Sequence, residues 1–158
     1  RTKYMEIERK YKIEAPPPGY QDYPFHEIEQ AYLCTEPVVR IRRQDDSFIL
    51  TYKSKGLLER EEYNLPLTRD AYVHLLSKAD GIVLTKKRYR IPLTVYGGPT
   101  GLTIELDVFT GVYEGLILAE VEFPTKEAAL AFVPPEWFGR DVTFSGEYQN
   151  SRLSRGEC

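Results

Sequence analysis

Hydrophobic and polar residues alternate with a period of two along most of this chain, which is the pattern of half-buried β-strands. Breaks rich in proline and glycine, such as the one at Pro16–Gly19, separate the alternating runs. The pattern predicts eight strands, over Met5–Glu14, Ile28–Cys34, Val38–Arg43, Phe48–Ser54, Glu61–Leu67, Ile82–Pro92, Leu102–Thr110 and Leu116–Phe123. Eight strands in one small domain favour a closed barrel, because closure removes exposed strand edges.

Helical spacing of apolar residues is confined to short segments. It predicts one helix over Arg69–Ala79, with Thr68 as its N-cap, and another over Lys126–Phe132. A weaker pattern covers Glu147–Arg155. The predicted fold is therefore mainly β with a few helices: a closed eight-stranded barrel with the helices packed outside.

Composition is that of an ordinary folded domain, with 42% hydrophobic and 28% charged residues. We expect one domain over residues 5–155 and leave residues 1–4 outside it, because Met5 is the only methionine. No apolar run approaches the ~18 residues of a membrane span. A net charge of −3 argues against a partner such as duplex nucleic acid. Two cysteines are too few for a disulfide framework, so we expect the protein to be cytoplasmic. Cys34 lies in an apolar, strand-like stretch and is expected to be a buried thiol, whereas Cys158, the last residue given, is expected to be an exposed thiol.

Charge is sorted by strand on the polar faces. Residues two apart in a strand share one face, so each predicted strand presents a defined set of polar side chains. Arg40 with Arg42 and Lys86 with Arg88 form basic pairs, Glu105 with Asp107 and Glu120 with Glu122 form acidic pairs, and the first strand carries Glu6, Glu8 and Lys10. A sheet face in water usually mixes opposite charges across strands. A solvent-exposed sheet face would explain the polar residues of any one strand, but it does not explain why like charges are grouped on the same strand.

Sorted charges of this kind call for a ligand that offsets their mutual repulsion. Carboxylate clusters suit hard divalent cations such as Mg²⁺ and Mn²⁺, which take oxygen ligands. Arginine and lysine clusters suit phosphate oxygens. A metal-bound polyphosphate requires both, so the charged face is expected to line the inside of the barrel.

The order of these residues resembles the CYTH, or triphosphate tunnel metalloenzyme, superfamily. Glu6-Ile7-Glu8-Arg9-Lys10 is similar to the ExExK signature of that family. The later elements follow in the family's order: Arg40-Ile41-Arg42, Lys53, Arg60 to Glu62, Lys86 to Tyr89, Glu105 to Phe109, Glu120 to Phe123, and the segment Phe132 to Gly139. The resemblance covers nearly the whole chain.

The resemblance implies a closed eight-stranded antiparallel barrel that forms a tunnel, with a triphosphate in its centre and one or two Mg²⁺ or Mn²⁺ ions beside it. It assigns the phosphates to Lys10, Arg40, Arg42, Lys53, Lys86 and Arg88. It implies that the metal ligands, and the residues that support them, are Glu6, Glu8, Glu62, Glu105, Asp107, Glu120 and Glu122. Many members have a second glutamate where this chain has Asn64, which removes one charge from a second metal site.

The predicted activity is metal-dependent hydrolysis of inorganic triphosphate (tripolyphosphate), with Glu8, Lys10 and Lys86 in catalysis. Lys86 is the candidate proton donor, because a lysine among cations can have a lowered pKa; holding phosphate is its alternative role. The alternative functions are a class IV adenylate cyclase, a thiamine or nucleoside triphosphatase, and a polyphosphate-binding module without turnover. Isolated His26 and His74 argue against zinc chemistry, and there is no GxxxxGK[ST] loop. The oligomeric state is not predicted.

Overall fold

The computed structural model describes the backbone of residues 2–157 and the side chains of residues 5–157. Its strands are β1 (Thr2–Lys12), β2 (Phe25–Thr35), β3 (Val38–Gln44), β4 (Ser47–Lys53), β5 (Glu59–Leu67), β6 (Asp80–Pro92), β7 (Thr103–Thr110) and β8 (Ile117–Glu122). Its helices are α1 (Arg69–Leu76), α2 (Lys126–Leu130) and α3 (Asn150–Ser154), with short 3₁₀ turns at Tyr20–Asp22, Leu93–Tyr96 and Gly111–Tyr113. Each predicted strand and helix has a counterpart in this order.

The strands form a closed barrel in the order β1-β5-β4-β3-β2-β6-β7-β8. Every neighbouring pair is antiparallel, as predicted. Residues 2–7 of β1 pair with β5, and residues 8–12 pair with β8. Beyond the end of β5, residues 140–143 lie against β1 instead, where the Val142 amide donates to the Lys10 carbonyl at 2.9 Å. The C-terminal part of the chain therefore completes the barrel wall next to Lys10.

The start of the first strand and the exposure of Cys34 differ from what the sequence predicted. Strand β1 begins at Thr2, so the backbone of residues 2–4, left outside the predicted domain, pairs with β5. Cys34 is exposed, and the prediction that it is buried was wrong. The register of β2 on β3 shifts between Tyr32 and Cys34, which interrupts the alternation on which that prediction depended. Cys158 lies outside the described residues.

Helices α1 and α2 pack on the outer, apolar face of the barrel. Tyr72 of α1 is buried against Ala31 and Ile41, whose side chains point outward from β2 and β3. Both helices begin at the predicted caps: Thr68 Oγ1 and Thr125 Oγ1 each accept a backbone amide hydrogen bond at 3.1 Å. No helix in the described part of the chain is long and apolar enough to cross a bilayer.

Helix α3 packs across one end of the barrel, a position that the sequence pattern did not indicate. Its Leu153 is fully buried against inward-facing apolar residues of the strands, namely Tyr32, Leu84, Phe109 and Leu118. The Tyr113 hydroxyl donates to the Leu153 carbonyl at 2.6 Å and fixes the helix in place. Because this end of the interior is apolar and covered, the polar part of the tunnel opens at the opposite end.

Candidate functional site

Inward-facing side chains of the strands surround a cavity of about 200 Å³ inside the barrel. The cavity is lined by Glu6, Glu8, Lys10, Arg40, Arg42, Gln44, Lys53, Arg60, Glu62, Arg88, Glu105, Glu120, Glu122 and Asn150. Every one of these residues is polar or charged. The face that the alternation predicted to be interior is therefore interior, and the barrel brings most of the predicted site residues to one cavity.

Lys86 and Asp107 are also inward, but they lie beneath the cavity wall with side chains 0% and 1% exposed. Arg88 binds Asp107 through two hydrogen bonds, Nε to Oδ1 at 2.7 Å and Nη2 to Oδ2 at 2.8 Å. The Lys86 Nζ lies 2.7 Å from Asp107 Oδ2. Both carboxylate oxygens of Asp107 are thus engaged by cations, so Asp107 holds Arg88 and Lys86 in position and is itself turned away from the cavity.

Glu8 and Glu120 form a carboxyl pair in the cavity whose pKa values are shifted in opposite directions. Burial, and then the charges of Glu120 and Glu6, raise the pKa of Glu8 well above its ordinary value. Burial opposes ionisation of Glu120. The positive charges of Lys10 and Arg88 and a hydrogen bond with Glu8 nevertheless contribute to holding the pKa of Glu120 well below its ordinary value. Glu120 is therefore ionised, and Glu8 keeps a proton that a nearby cation would displace.

Glu122 repeats this situation at the open end of the tunnel. Partial burial, followed by the charges of Glu6, Glu105 and Glu62, raises the pKa of Glu122 to about 7. Carboxyl groups that hold protons because burial and neighbouring carboxylates disfavour their ionisation can release those protons when a divalent cation binds. The donor set is all oxygen, as Mg²⁺ and Mn²⁺ require.

Carboxylates of the cavity are turned toward cations of the protein itself. Lys53 Nζ lies 3.0 Å from Glu6 Oε1, and Arg88 Nη2 lies 2.9 Å from Glu120 Oε1. Among residues 2–157, no three carboxylate, imidazole or thiolate groups are already gathered closely enough to hold an ion. Metal binding at this donor set therefore requires side chains to exchange these internal partners.

Arg40 and Arg42 stand apart from the other interior cations. Within the described part of the chain neither lies within 4 Å of a carboxylate, whereas Lys10, Lys53, Lys86 and Arg88 all do. Arg40 is 4% exposed and its Nε has no hydrogen-bond partner, while Arg42 Nε donates to Gln30 Oε1 at 3.1 Å. Burial, together with the charges of Arg40 and Arg88, lowers the pKa of Arg42 to about 9, so Arg42 remains charged at pH 7. Two adjacent enclosed guanidinium groups without a counter-ion are a site for an anion.

Lys86 has the electrostatic property expected of a proton donor. Burial lowers the pKa of Lys86 to about 7; Asp107 opposes this shift, and Arg88 and Arg42 add to it. The Nζ contacts Asp107 without hydrogen-bond geometry and lies 5.2 Å from the centre of the Phe109 ring. A lysine of this pKa exchanges its proton readily near neutral pH.

Besides Gln44 of β3, which lines the cavity, three residues of the site were missed by the sequence analysis. Gln30 is fully buried and holds Arg42 through the hydrogen bond described above. Arg60 lines the cavity, with its Nε 3.4 Å from Glu6 Oε1. Asn150 enters the cavity from α3. The inward parity of β2 and β5 would have identified the first two, but nothing in the strand pattern pointed to Asn150.

Asn64 orients one of the predicted metal ligands. Its Nδ2 donates to Glu62 Oε2 at 2.9 Å, and its Oδ1 accepts from Thr51 Oγ1 at 2.7 Å. The amide thus fixes the Glu62 carboxylate, a role that a second carboxylate at this position would not fulfil, since it would repel Glu62.

Comparison with known proteins agrees with this geometry. The family model described as "CYTH domain" matches residues 5–154. The chain is 37% identical to the inorganic triphosphatase of Nitrosomonas europaea, over 94% of this chain and 96% of that protein. It is also 37% identical to the inorganic triphosphatase of Acetivibrio thermocellus, over 73% and 70% of the two chains. A crystal structure of an inorganic triphosphatase superposes with a TM-score of 0.69 at 34% identity, over 94% and 93% of the two chains.

Proposed function

Since this chain belongs to the CYTH domain family, we propose that it hydrolyses inorganic triphosphate to diphosphate and phosphate inside its barrel, with the help of a divalent metal. The observation that carries the proposal is the pair Arg40 and Arg42, two enclosed cations for which the described residues provide no carboxylate partner, in a cavity lined by polar residues. The similarity to two inorganic triphosphatases supports the same activity.

Phosphate binding falls to the cations of the cavity wall. Arg40 and Arg42 are free to donate bidentate hydrogen bonds to phosphate oxygens. Arg88 is held at its base by Asp107, so its position is fixed before substrate arrives. Lys10 and Lys53 supply further positive charge, at present shared with Glu120 and Glu6. Together these side chains offset the charge that develops on the phosphate oxygens during transfer.

Metal binding falls to the carboxylates, with Glu8 and Glu122 as the leading candidates because the neighbouring negative charges that raise their pKa values are charges that a divalent cation would offset. Glu6, Glu62, Glu105 and Glu120 line the same cavity and complete the oxygen donor set. Mg²⁺ or Mn²⁺ bound there would offset phosphate charge and acidify the attacking water. Asp107 belongs to the supports of this site, because both of its oxygens are engaged by Arg88 and Lys86.

In the proposed reaction a water attacks a terminal phosphorus in line with the departing diphosphate. The new P–O bond forms as the phosphoanhydride bond breaks, and the diphosphate oxygen leaves with the bonding electrons. Lys86 supplies a proton to that oxygen, which its pKa of about 7 permits near neutral pH. Its Nζ must turn from Asp107 toward the cavity to do so.

The size and lining of the cavity favour an inorganic substrate over a nucleotide. At about 200 Å³ it is smaller than the ~300–1,000 Å³ of typical small-molecule sites, and it has no apolar or aromatic lining for a base. A more open groove of about 530 Å³ beside the mouth shares Glu105 and Glu122 with the cavity and includes Arg90 and Leu102. A nucleoside or thiamine group would have to occupy that groove.

We expect tripolyphosphate to be hydrolysed with a higher kcat/KM than ATP or thiamine triphosphate. The measurement is phosphate release by the purified protein with each substrate in Mg²⁺ and in Mn²⁺, together with chromatography for cyclic AMP. A preference for ATP, or formation of cyclic AMP, would identify a nucleotide-using relative. Tight binding of tripolyphosphate without release would identify a binding module. The cytoplasmic location stays a prediction.

A further inference from the structure

The closed end of the cavity is built by the chain between Gly146 and Ser154, not by a strand. Leu153 anchors this segment in the apolar end of the barrel. A side chain at Gly81 of β6 would collide with the Ser154 carbonyl, so the helix lies directly on the strand backbone there. The segment is therefore a fixed part of the cavity wall.

This segment directs two polar groups toward the cavity cations. Tyr148 has a φ of 61°, a left-handed conformation that is uncommon for a bulky residue, and its carbonyl accepts a hydrogen bond from Lys10 Nζ at 3.4 Å. Two residues later, Asn150 lines the cavity with Lys10, Lys53 and Arg60. The unusual backbone at Tyr148 thus accompanies the entry of the Asn150 amide into the site.

The amide oxygen of the partly buried Asn150 lacks a hydrogen-bond partner in the described part of the chain. Its Oδ1 is inaccessible to solvent and has no hydrogen-bond partner among the described residues. A buried polar group left unpaired costs about 1–3 kcal/mol, so it is retained where another molecule completes its hydrogen bonds. Rotation of the amide exchanges its oxygen and its NH₂ group, so either can face a ligand.

From this position we propose that Asn150 is a substrate-contacting residue, whose amide NH₂ donates to the phosphate group at the closed end of the tunnel. This inference rests on the proposed function and extends it to the orientation of the substrate. A linear triphosphate enters through the mouth near Glu105 and Glu122, and α3 blocks the far end. Asn150 is then the residue that meets the terminal phosphate and sets how deeply the chain enters.

The test is calorimetric titration of tripolyphosphate, in the presence of Ca²⁺, into wild-type protein and the Asn150→Ala and Asn150→Asp variants. Asn150→Ala should weaken binding about 10-fold, the scale of a hydrogen bond to a charged group. Asn150→Asp should weaken it by at least about a further 10-fold, because its carboxylate meets the phosphate charge. The thermal midpoints of both variants without ligand should equal that of wild-type protein or exceed it, since each substitution removes the unpaired amide oxygen of Asn150.

Ser151→Ala is the matched control, because Ser151 follows Asn150 in α3 but does not line the tunnel cavity; it lines the adjoining pocket, which shares Lys53 and Arg60 with that cavity. It should bind tripolyphosphate with wild-type affinity. Unchanged affinity in Asn150→Ala, or equal affinity in Asn150→Ala and Asn150→Asp, would overturn the inference while the proposed function stands. Absence of tripolyphosphate binding by wild-type protein would instead remove the proposed function.

Discussion

The Glu8→Gln variant is expected to lose at least about 100-fold in kcat/KM for tripolyphosphate while keeping its fold. Changes in residues that only support a metal ligand already cost about 10–100-fold, so loss of a direct ligand should cost more. The variant also replaces a carboxyl group that can ionise when the cation binds by an amide that stays neutral. Phosphate release measured in saturating Mg²⁺ gives the result directly.

Stability of the empty protein should not change in the same variant. Burial, Glu120 and Glu6 raise the pKa of Glu8 well above its ordinary value, so Glu8 is protonated in the absence of metal. Glutamine has the same shape and is also neutral, and the thermal midpoint in EDTA should therefore be equal or higher. The two readouts separate a lost ligand from a damaged fold.

Glu27→Gln provides the control for this experiment. Glu27 lies in β2 on the outward face of the barrel and is exposed. Its replacement removes one negative charge of the protein without touching the cavity, and it should keep wild-type activity. A Glu8→Gln variant as active as Glu27→Gln would mean that Glu8 has no part in metal binding.

Removal of divalent metal is expected to abolish hydrolysis, and the affinity for Mg²⁺ is expected to rise with pH between about 6 and 8. Glu8, with its raised pKa, and Glu122, with a pKa of about 7, must lose their protons before they can bind a cation. Protons are released more easily as pH rises, so the metal competes better. Phosphate release after exhaustive chelation and back-titration with Mg²⁺ measures both effects.

Thermal unfolding reports the same linkage without depending on turnover. The folded, metal-free protein holds protons on Glu8 and Glu122 that the unfolded chain releases near pH 4. The stability from the Glu122 proton is fully present below that pH and is lost as pH rises through about 7, and the stability from the Glu8 proton is lost as pH rises through its raised pKa. The increase in thermal midpoint caused by Mg²⁺ should therefore grow from pH 6 to pH 8. Full activity in excess EDTA, or a Mg²⁺ effect that shrinks with rising pH, would contradict the proposed metal site.

The barrel and its charged interior could be predicted because period-two alternation is a direct consequence of strand geometry. Arg40 and Arg42 share a face for the same reason that Glu120 and Glu122 do. Sorting of like charges by strand then distinguished a ligand-binding interior from a solvated face. The antiparallel order of β3, β4 and β5 adds the cross-strand neighbours, which bring Lys53 opposite Glu62.

Depth inside the barrel could not be predicted from the same pattern. Alternation gives the face of a side chain but not its level along the tunnel, so Lys86 and Asp107 were grouped with Arg88 and Glu105 although they lie beneath the cavity wall. The level follows from strand register and barrel stagger, which depend on all eight strands together.

The closed end of the tunnel was also outside the reach of sequence patterns. Five residues of α3 give a weak helical signal, and their position depends on Leu153 finding an apolar surface formed by β2, β6, β7 and β8. Asn150 was missed for that reason. The exposed side chain of Cys34 has a similar cause, because a local shift of register changes which side of the strand a residue faces.

The central claim is that triphosphate binds to Arg40 and Arg42 inside the barrel. The Arg42→Lys variant tests this claim, with the same substitution at Arg43, on the opposite face of β3, as the control. Arg43 follows Arg42 in β3 but points outward, where its Nη1 donates to the Asp45 carbonyl at 3.2 Å. Lysine keeps the charge of either residue but loses the bidentate fork that binds phosphate.

The measurement is calorimetric titration of tripolyphosphate in Ca²⁺, an oxygen-binding ion chosen to slow turnover, with wild-type, Arg42→Lys and Arg43→Lys proteins. We predict that Arg42→Lys weakens binding by roughly 1.5–3 kcal/mol, the scale of a charged hydrogen bond, while Arg43→Lys changes it by less than about 1 kcal/mol. Equal affinity in all three proteins would contradict triphosphate binding inside the barrel.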